Sequence, residues 1–458
     1  MQIPRSTVPG VVSPAIPGRM ASLLLSVLYQ LEQTQWLPPD DLFAHQARQL
    51  RVLFAHAAAQ SPFYRRRFAE AGVDPAAEVT WQTLQRLPIL QRPELQGAGN
   101  DINAAELPKS HGKRHTIETS GSTGRAVRMF GTEITGLFWR AGVMREHLWH
   151  GRDLGGKLGA IRWARKGIAM APEGKRGDSW GPASGSIYPT GPAVLLNIAS
   201  ELHEQVDWLQ REQPDYLISF PSNLMALAKY CLERQVTFPN LKQVMTVGET
   251  VTQQARDLVR EAWGVRLLDS YSCEEAGYLA IQCPEHEVYH LQSENVLVEV
   301  VDDEGVACRP GEVGRVLITS LHNFATPLIR YQLGDYAEAG APCACGRGLP
   351  VVNQVLGRQR NRLVLPDGTT VFPYFGNHDD YKAITPEVRQ FQFIQHSLDE
   401  IEKRMVVSSP LTPEQEERTR ELIVRNLGHP FRITFTYLDE IPAGPRGKYE
   451  EFISKVEA

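Results

Sequence analysis

The sequence lacks a long apolar run, a block of like charge and a dense set of cysteines. No stretch is long enough to span a bilayer, and the apolar run ASLLLSVLYQL continues as EQTQW without a cleavage site, which favours an amphipathic or core helix over a signal sequence. Lys and Arg number 48 against 53 Asp and Glu, without a basic track or an acidic tail. Six cysteines in 458 residues exclude a disulfide scaffold. These absences favour a cytoplasmic protein that acts on small molecules or proteins, with no membrane or nucleic-acid partner.

The length predicts two or three domains, and the order of the elements indicates their class. From about residue 200, helical and strand-like segments alternate, which is typical of an α/β layer with a parallel sheet. Residues 295–320 instead contain strands joined by a turn, which predicts an antiparallel part. After Gly357 the pattern changes to a small α+β unit, whose helix begins with a capping box at Thr412. We therefore expect an α/β protein with mixed sheets and a domain boundary between residues 355 and 361.

The stretch TSGSTGRAV, residues 119–127, is rich in hydroxyl and glycine residues and contains one arginine. Backbone and side-chain donors of this kind, beside a fixed positive charge, suit the binding of a polyphosphate. The stretch lacks the Gly-Lys-Ser/Thr ending of the Walker motif, which disfavours a P-loop nucleotidase. Taken alone, it is as compatible with a flexible surface turn as with a phosphate site.

Four further motifs supply groups that nucleotide chemistry needs. Two carboxylates, Glu274 and Glu275, follow the predicted strand VRLLDSYS, where they can hold Mg²⁺ on a phosphate. The motif RYQLGD places Asp335 after a glycine turn, in a position suited to ribose hydroxyls. A Gly-Arg pair ends in Arg358 at the domain boundary, and GPRGK places Lys448 on a turn near the C-terminus. Each motif is weak alone, and their order and separations are what make the pattern specific.

The chain resembles the adenylate-forming superfamily over almost its whole length, and specifically its phenylacetate–CoA ligase-like branch. The resemblance rests on the motifs above together with SPFYRRRFAEAGVDP, LPILQRPEL, FPSNLMALA, VGE, PGEVGRVLIT, TPLIRYQLGD and CACGRGLP. It implies a large N-terminal domain, residues 1–356, that binds ATP and the acyl substrate, and a small mobile lid domain, residues 357–458, that carries the catalytic lysine. It also implies a two-step ligation. A carboxylate and ATP give an acyl-AMP and pyrophosphate, and a thiol, usually coenzyme A, then takes the acyl group.

The resemblance assigns roles to individual residues. Lys448 would contact the carboxylate and the α-phosphate as the catalytic lysine, and Glu275 would hold Mg²⁺. Asp335 would bind the ribose hydroxyls with support from Arg358. The other expected ATP and AMP contacts are Thr119, Ser120, Gly121, Ser122, Thr123, Gly124, Arg125, Gly248, Glu249, Tyr271 and Ser272. Cations are needed at such a site because two anions must meet there.

Three positions depart from the family pattern. Arg125 stands where a lysine is common, which keeps the charge and changes the geometry. Glu274 replaces the usual Thr or Ser and brings a second carboxylate to the metal. Asn361 replaces the aspartate of the hinge between the domains, where backbone freedom matters more than charge for rotation. These departures leave the prediction of adenylation better supported than the prediction of thioester formation.

Five residues in two clusters are candidate zinc ligands: Cys283 with His286 or His290, and Cys343 with Cys345. Three cysteines and one histidine form a common structural zinc site. The alternative is a set of reduced, buried cysteines beside exposed histidines. We expect zinc with His290 as the fourth ligand, since similar sequences carry a histidine there, and His286 as its substitute. Such a zinc would pin a loop and take no part in catalysis.

Aromatic residues suggest a substrate pocket for a ring, although such residues are also typical of plain core. The expected pocket residues are Trp139, Tyr188, Phe220 and Tyr271, together with the loop 166–191. The sequence thus predicts an ATP- and Mg²⁺-dependent ligase of an aryl or arylacetic acid, with coenzyme A as the acceptor. An enzyme that passes the acyl group to an amine, a hydroxyl or a carrier protein stays open, as do a non-catalytic nucleotide-binding protein and a homodimer.

Overall fold

Two large sheets with their helices precede a smaller sheet near the C-terminus. The computed structural model describes residues 3–119, 127–375, 380–381, 384, 388–442 and 448–456. Its α-helices are α1 (Arg19–Thr34), α2 (Pro39–Gln60), α3 (Pro62–Glu70), α4 (Trp81–Arg86), α5 (Arg92–Gly97), α6 (Glu133–Trp149), α7 (Pro182–Gly185), α8 (Leu202–Glu212), α9 (Pro221–Arg234), α10 (Gln253–Trp263) and α11 (Pro413–Leu427).

The strands follow the same chain order. They are β1 (His115–Glu118), β2 (Arg128–Gly131), β3 (Leu158–Arg162), β4 (Lys175–Gly177), β5 (Ala193–Asn197), β6 (Tyr216–Ser219), β7 (Gln243–Thr246), β8 (Arg266–Leu268), β9 (Ser270–Cys273), β10 (Gly277–Gln282), β11 (Tyr289–Leu291), β12 (Val296–Val301), β13 (Val313–Ser320), β14 (Tyr331–Ala339), β15 (Val351–Arg358), β16 (Leu363–Val364), β17 (Thr370–Val371), β18 (Val388–Ser397), β19 (Glu400–Val407), β20 (Arg432–Tyr437) and β21 (Phe452–Ser454).

A six-stranded sheet in the order β4-β5-β3-β6-β7-β8 forms the α/β part that the alternating pattern predicts. Its strands are parallel except β4, which pairs antiparallel with β5 at the edge. The helices α8, α9 and α10 contribute Trp208, Leu224 and Val259 to the core that covers this sheet. Ligands of parallel sheets bind at the carboxyl ends of the strands, which here are followed by Phe220 after β6 and by Gly248 after β7.

A seven-stranded antiparallel sheet, in the order β12-β13-β14-β15-β11-β10-β9, forms the second layer. Its largest apolar cluster joins Phe54 of α2 and Phe68 of α3 to Leu279 and Ile318 of the strands. The prediction that VRLLDSYS forms a single strand is wrong, because the chain leaves the parallel sheet after β8 and enters the antiparallel sheet as β9. Asp269 stands between the two strands and accepts a hydrogen bond from the Tyr289 hydroxyl at 2.9 Å.

The chain passes from the seven-stranded sheet into the C-terminal core over a single 3₁₀ turn, Gln359–Asn361. Arg358 still pairs with Asp335 in the large sheet, whereas Leu363 already packs in the small core. That core lies on a four-stranded sheet in the order β20-β19-β18-β21. The predicted capping box at Thr412 is confirmed, since Thr412 and Gln415 exchange side-chain-to-backbone hydrogen bonds at 2.9 and 3.3 Å.

The apolar run near the start forms α1, an amphipathic helix as expected. Its buried residues Leu24, Leu28 and Leu31 pack against Leu137 and Met144 of α6. In the part of the chain that the structure describes, no helix combines the length and the apolar composition needed to cross a membrane.

Candidate functional site

The hairpin of β9 and β10 presents the two carboxylates of YSCEE at a tight turn. Glu275 is buried, with 8% of its surface exposed, whereas the neighbouring Glu274 is exposed. Burial raises the pKa of Glu275, and the nearby Asp335 carboxylate raises it further. The guanidinium groups of Arg92 and Arg358 act in the opposite direction. A carboxylate held in this way is stabilised by a cation, which fits the predicted role as a metal ligand.

Asp335 lies on β14 directly opposite Arg358 on β15, so the strand register itself brings the predicted ribose pair together. The Arg358 Nε is 3.4 Å from Asp335 Oδ1, and the Tyr271 hydroxyl donates a hydrogen bond to Oδ2 at 2.7 Å. Burial raises the pKa of Asp335, while Arg358 and the Tyr271 hydroxyl oppose the shift. Ser272, the neighbour of Tyr271 on β9, is exposed.

The base of the predicted phosphate loop is a closed pair of hydrogen bonds. The Thr119 amide donates to the Val127 carbonyl, and the Val127 amide donates to Thr119 Oγ1, both at 3.0 Å. Thr119 is buried, and its hydroxyl also accepts a hydrogen bond from Arg92 Nη2 at 3.3 Å. The other loop residues that the sequence singles out lie outside the described residues: Ser120, Gly121, Ser122, Thr123, Gly124 and Arg125.

Arg92 is a site residue that the sequence reasoning missed. It is the first residue of α5, and it lies between the loop base at Thr119 and the carboxylate of Glu275. An arginine in the first turn of a helix is unfavourable because the helix dipole is positive there. The unfavourable position of this arginine in LQRPEL could have indicated a functional residue, because a residue that weakens its own helix is often retained for another partner.

Lys448 lies beside the turn that follows β7, although about 200 residues separate the two in the sequence. A Cβ at position 248 would be 3.2 Å from both Lys448 Cε and Phe220 Cε1, so a side chain here would have to displace one of these groups. Gly248 also has a φ of +79°, which side chains disfavour. The lysine lowers the pKa of both Glu249 and Asp335, although burial dominates in each case and raises it.

Glu249 joins the fixed part of the site to the segment that carries Lys448. Its carboxylate accepts hydrogen bonds from the Ser222 amide at 3.0 Å, at the start of α9, and from the Tyr449 amide at 2.6 Å. The same segment is held by an ion pair between Glu450 and Arg360. Lys448 is therefore positioned through the two residues that follow it.

Asn361, at the turn between the two parts, uses both ends of its amide. Its Oδ1 accepts a hydrogen bond from the Arg358 amide at 3.0 Å, and its Nδ2 donates to the Phe452 carbonyl at 2.6 Å. Since Phe452 lies on β21, close to Lys448 in sequence, this one side chain connects the end of β15 to the lysine segment. An ionised aspartate could supply only the accepting half.

A cavity of about 310 Å³ opens beside the two glutamates. It is lined by β1, by α6, by the β9–β10 turn and by the segment that follows β13, and Trp139 of α6 is among its residues. Tyr188, Phe220 and Tyr271 are not among the lining residues. Tyr188 packs in the cluster of α1 and α6, Phe220 lies beside Gly248, and the Tyr271 hydroxyl faces Asp335. Of the four aromatic residues expected in the pocket, the structure therefore brings one to the cavity.

The expected zinc ligands meet where β10 and β11 adjoin the loop before β15. The ligand atoms of Cys283, His290, Cys343 and Cys345 all lie within 4.8 Å of one another. His290 Nε2 is 3.3 Å from Cys345 Sγ, and its Nδ1 is 3.4 Å from the Leu349 carbonyl. Such a second contact orients a histidine with its other nitrogen free for a metal.

His286, the expected substitute, approaches two of the same sulfur atoms. Its Nδ1 is 3.3 Å from Cys343 Sγ and 3.7 Å from Cys283 Sγ. His286 is outside the set of four whose ligand atoms lie mutually close. Cys308 lies apart from the cluster, against Gly314 in the hairpin of β12 and β13.

Known proteins resemble the chain in both sequence and fold. A family model for the CapK C-terminal domain matches residues 367–455. A phenylacetate-coenzyme A ligase of Thermus thermophilus is 28% identical over 418 residues, which cover 87% of this chain and 88% of the relative. A second one, from Pseudomonas putida, is 26% identical over 341 residues, with 73% and 74% covered. The crystal structure of 2-hydroxyisobutyryl-CoA ligase with R3-HIB-AMP superposes with a TM-score of 0.71 at 18% identity, and covers 93% of this chain and 92% of that one.

The mixed α/β fold, with a large N-terminal part and a smaller C-terminal part around the residues described above, matches that of adenylate-forming CoA ligases. The fold class predicted from the sequence is thus confirmed. Within this class, the similarity to phenylacetate-coenzyme A ligases over most of the chain supports an AMP-forming acid–CoA ligase that resembles the phenylacetate–CoA ligase-like branch. The resemblance that the motifs indicated is therefore confirmed as well.

Proposed function

We propose that the chain is an ATP- and Mg²⁺-dependent ligase that adenylates an aryl or arylacetic acid and transfers the acyl group to coenzyme A. The observation that carries the proposal is the approach of Lys448 to Gly248 and Asp335, since Asp335 also acts on the buried Glu275. Acid adenylation and coenzyme A ligation are supported by the relatives in general, and Trp139 in the cavity supports a ring-bearing acid. The hinge of the lid would be the turn at residues 359–361.

The proposed chemistry follows from the charges. A carboxylate oxygen attacks the α-phosphorus of ATP, the bond to the β-phosphate breaks, and pyrophosphate leaves with the electron pair. Lys448 would offset the charge that develops on the α-phosphate, Arg92 and the loop would bind the other phosphates, and Glu275 would hold the Mg²⁺ that neutralises them. Asp335 would accept hydrogen bonds from the ribose. In the second step, the thiolate of coenzyme A attacks the acyl carbon and AMP leaves.

The test is ATP–pyrophosphate exchange with a panel of carboxylic acids, followed by product analysis with and without coenzyme A. Exchange with an aryl or arylacetic acid, and an acyl-CoA product, are expected. Exchange that yields an acyl product only with an amine would favour a different acceptor. An amide bond synthetase from Marinactinospora thermotolerans shares the fold, with a TM-score of 0.50 at 18% identity over 73% of this chain and 67% of that one. Retained ATP binding without exchange for any acid would point to a non-catalytic protein.

Arg92→Gln is expected to lower the rate of pyrophosphate exchange about tenfold and to raise the ATP concentration that half-saturates it. Arg92 contacts the loop base at Thr119 and acts on the Glu275 carboxylate. Without its positive charge, the repulsion between the ATP phosphates and this carboxylate is no longer offset. Arg66→Gln is the control, because Arg66 is exposed and forms an ion pair with the equally exposed Asp101 at 3.4 Å. Equal effects of the two substitutions would contradict the role of Arg92.

Asn361→Asp is expected to slow adenylation about tenfold without slowing the transfer of a supplied acyl-adenylate to coenzyme A. An ionised carboxylate cannot donate to the Phe452 carbonyl, so the lysine-bearing segment loses one of its anchors in the present orientation. Single-turnover measurement of each half-reaction separates the two steps. A parallel loss in both steps would indicate general damage rather than a change in lid orientation.

We also propose that Cys283, His290, Cys343 and Cys345 hold a structural Zn²⁺. Thiolate and imidazole ligands with mutual separations within 4.8 Å fit a tetrahedral site. The ion would pin the loop before β15 to β10 and β11. Arg347, on that loop, stacks over Trp149 at 4.6 Å, which extends the same attachment to α6.

A further inference from the structure

The cavity beside Glu274 and Glu275 has a polar wall that the adenylation chemistry does not use. It is formed by the segment after β13 and by the residues before β12, which contribute His322 and Asn295. This inference rests on the proposed function: if the cavity holds the ring of the acid, this wall is available to groups that the ring carries.

The ring of His322 is fixed in orientation on two sides. It stacks on Phe138 of α6, with the ring centroids 3.8 Å apart and an interplanar angle of 3°. Its Nε2 is 3.0 Å from the Glu294 carbonyl oxygen. The side chain of Glu294 is itself held in a bidentate ion pair by Arg145, at 2.9 and 3.0 Å, so the partner of the histidine is anchored as well.

This contact determines which nitrogen of His322 carries the proton. A carbonyl oxygen can only accept, so Nε2 is the donor, and in the neutral ring Nδ1 is then an acceptor. Burial lowers the pKa of His322 to about 4, which keeps the ring neutral near pH 7. No residue that the structure describes forms a hydrogen bond with Nδ1. This nitrogen is not fully buried, so a ligand can reach it.

Asn295 supplies a second acceptor to the same cavity. Its Nδ2 donates to the Ala276 carbonyl at 3.0 Å, which fixes the orientation of the amide and turns Oδ1 the other way. Within the described chain, Oδ1 receives no hydrogen bond and is not fully enclosed. The Thr135 hydroxyl, which lines the same cavity, is already paired, since it donates to the Thr132 carbonyl at 2.8 Å.

We propose that His322 and Asn295 select acids that carry a hydrogen-bond donor, namely a hydroxyl or an amino group on the ring, and that His322 is a specificity-determining residue. An acid without a donor displaces water from these acceptors and leaves them unpaired, which costs binding free energy. Sites built to pair with a substrate hydroxyl or amine discriminate strongly against analogues that lack it. The unsubstituted aryl or arylacetic acid is thus a poor substrate.

The test uses benzoic and phenylacetic acids in four versions at each ring position: hydroxy, amino, methoxy and unsubstituted. Binding is measured by titration calorimetry in the presence of AMP, and ATP–pyrophosphate exchange is measured in parallel. At one ring position, the hydroxy or amino acid is expected to bind about tenfold or more tightly than the methoxy and unsubstituted acids. The methoxy acid separates a need for a donor from a need for bulk, because it can only accept.

His322→Phe retains a ring on Phe138 and removes the acceptor. It is expected to weaken the binding of the preferred acid about tenfold. The unsubstituted acid is expected to bind more tightly than it does to the wild type, because it no longer leaves the His322 acceptor unpaired. His322→Gln, which keeps one donor and one acceptor, is expected to retain part of the preference. The matched control is His56→Phe, since His56 Nε2 also contacts a backbone carbonyl, that of Phe324 at 3.0 Å, and is not among the cavity residues.

Equal affinity for all four versions at every ring position overturns the inference, and so does failure of every hydroxy and amino acid to bind. These outcomes concern the wild-type protein and hold even if His322→Phe does not fold. A donor preference that is lost in His322→Phe without any pyrophosphate exchange supports the inference and overturns the proposed function instead. Pyrophosphate exchange that shows no preference for a donor-bearing acid supports the proposed function and overturns the inference.

Discussion

Lys448→Ala is expected to lower the rate of acyl-adenylate formation about 10²- to 10³-fold, the effect of removing one positioned charge from a transition state. The ammonium group lies beside Gly248 and close enough to Asp335 to lower its pKa, where the α-phosphate of ATP would be bound. In the proposed mechanism, transfer of a supplied acyl-adenylate to coenzyme A would not use this charge. Its rate is therefore expected to stay within about threefold of the wild type.

The two half-reactions are measured separately, by pyrophosphate release in a single turnover and by thioester formation from synthetic adenylate. Lys455→Ala is the control, because Lys455 is an exposed lysine of the same C-terminal segment. Equal losses in both half-reactions would remove the assigned role of Lys448. So would a loss of similar size in the control.

Loss of the proposed zinc is expected to have the largest effect on stability. Cys345→Ser breaks the cluster and is expected to lower the free energy of unfolding by about 3–5 kcal/mol, since loss of a structural metal is among the most destabilising changes. Elemental analysis of the purified wild type is expected to find about one zinc per chain. Thermal unfolding with an excess of a chelator is expected to reproduce the destabilisation of the variant.

Cys308→Ser is the matched control for the zinc proposal. It makes the same chemical change at a partly buried cysteine that lies outside the cluster. Its unfolding temperature is expected to be nearly that of the wild type and equally sensitive to the chelator. A zinc content below about half an equivalent, or equal destabilisation by both substitutions, would leave the cluster as a set of reduced thiols.

The sequence predicts those parts of the site that depend on a local pattern. The capping box at Thr412 follows from a short-range rule, and the family motifs place Lys448 and Glu275 in one predicted site. The glycine turn expected before Asp335 is wrong, because Gly334 and Asp335 both lie inside β14. The separation of β8 from β9 was not predictable in this way. Nothing in VRLLDSYS marks Asp269 as the residue at which the chain changes sheets.

Long-range contacts account for the other differences. The sequence predicts Tyr188 in the pocket because its side chain is aromatic. Its position depends instead on the packing of α1 on α6, which no local pattern encodes. Arg92 reaches Thr119 and Glu275 only because separate parts of the chain meet in the fold. The orientation of His322 likewise depends on the Glu294 carbonyl and on Phe138, both distant from any motif.

The cavity and the lysine are encoded in separate stretches of the chain. Every residue that lines the cavity falls between His115 and Asn323, whereas Lys448 follows the turn that ends at Asn361. With the roles proposed above, selection of the acid and activation of the acid could therefore change independently during evolution. A chimera that receives its C-terminal part from a relative should keep the acid preference of this chain and acquire the turnover rate of the donor.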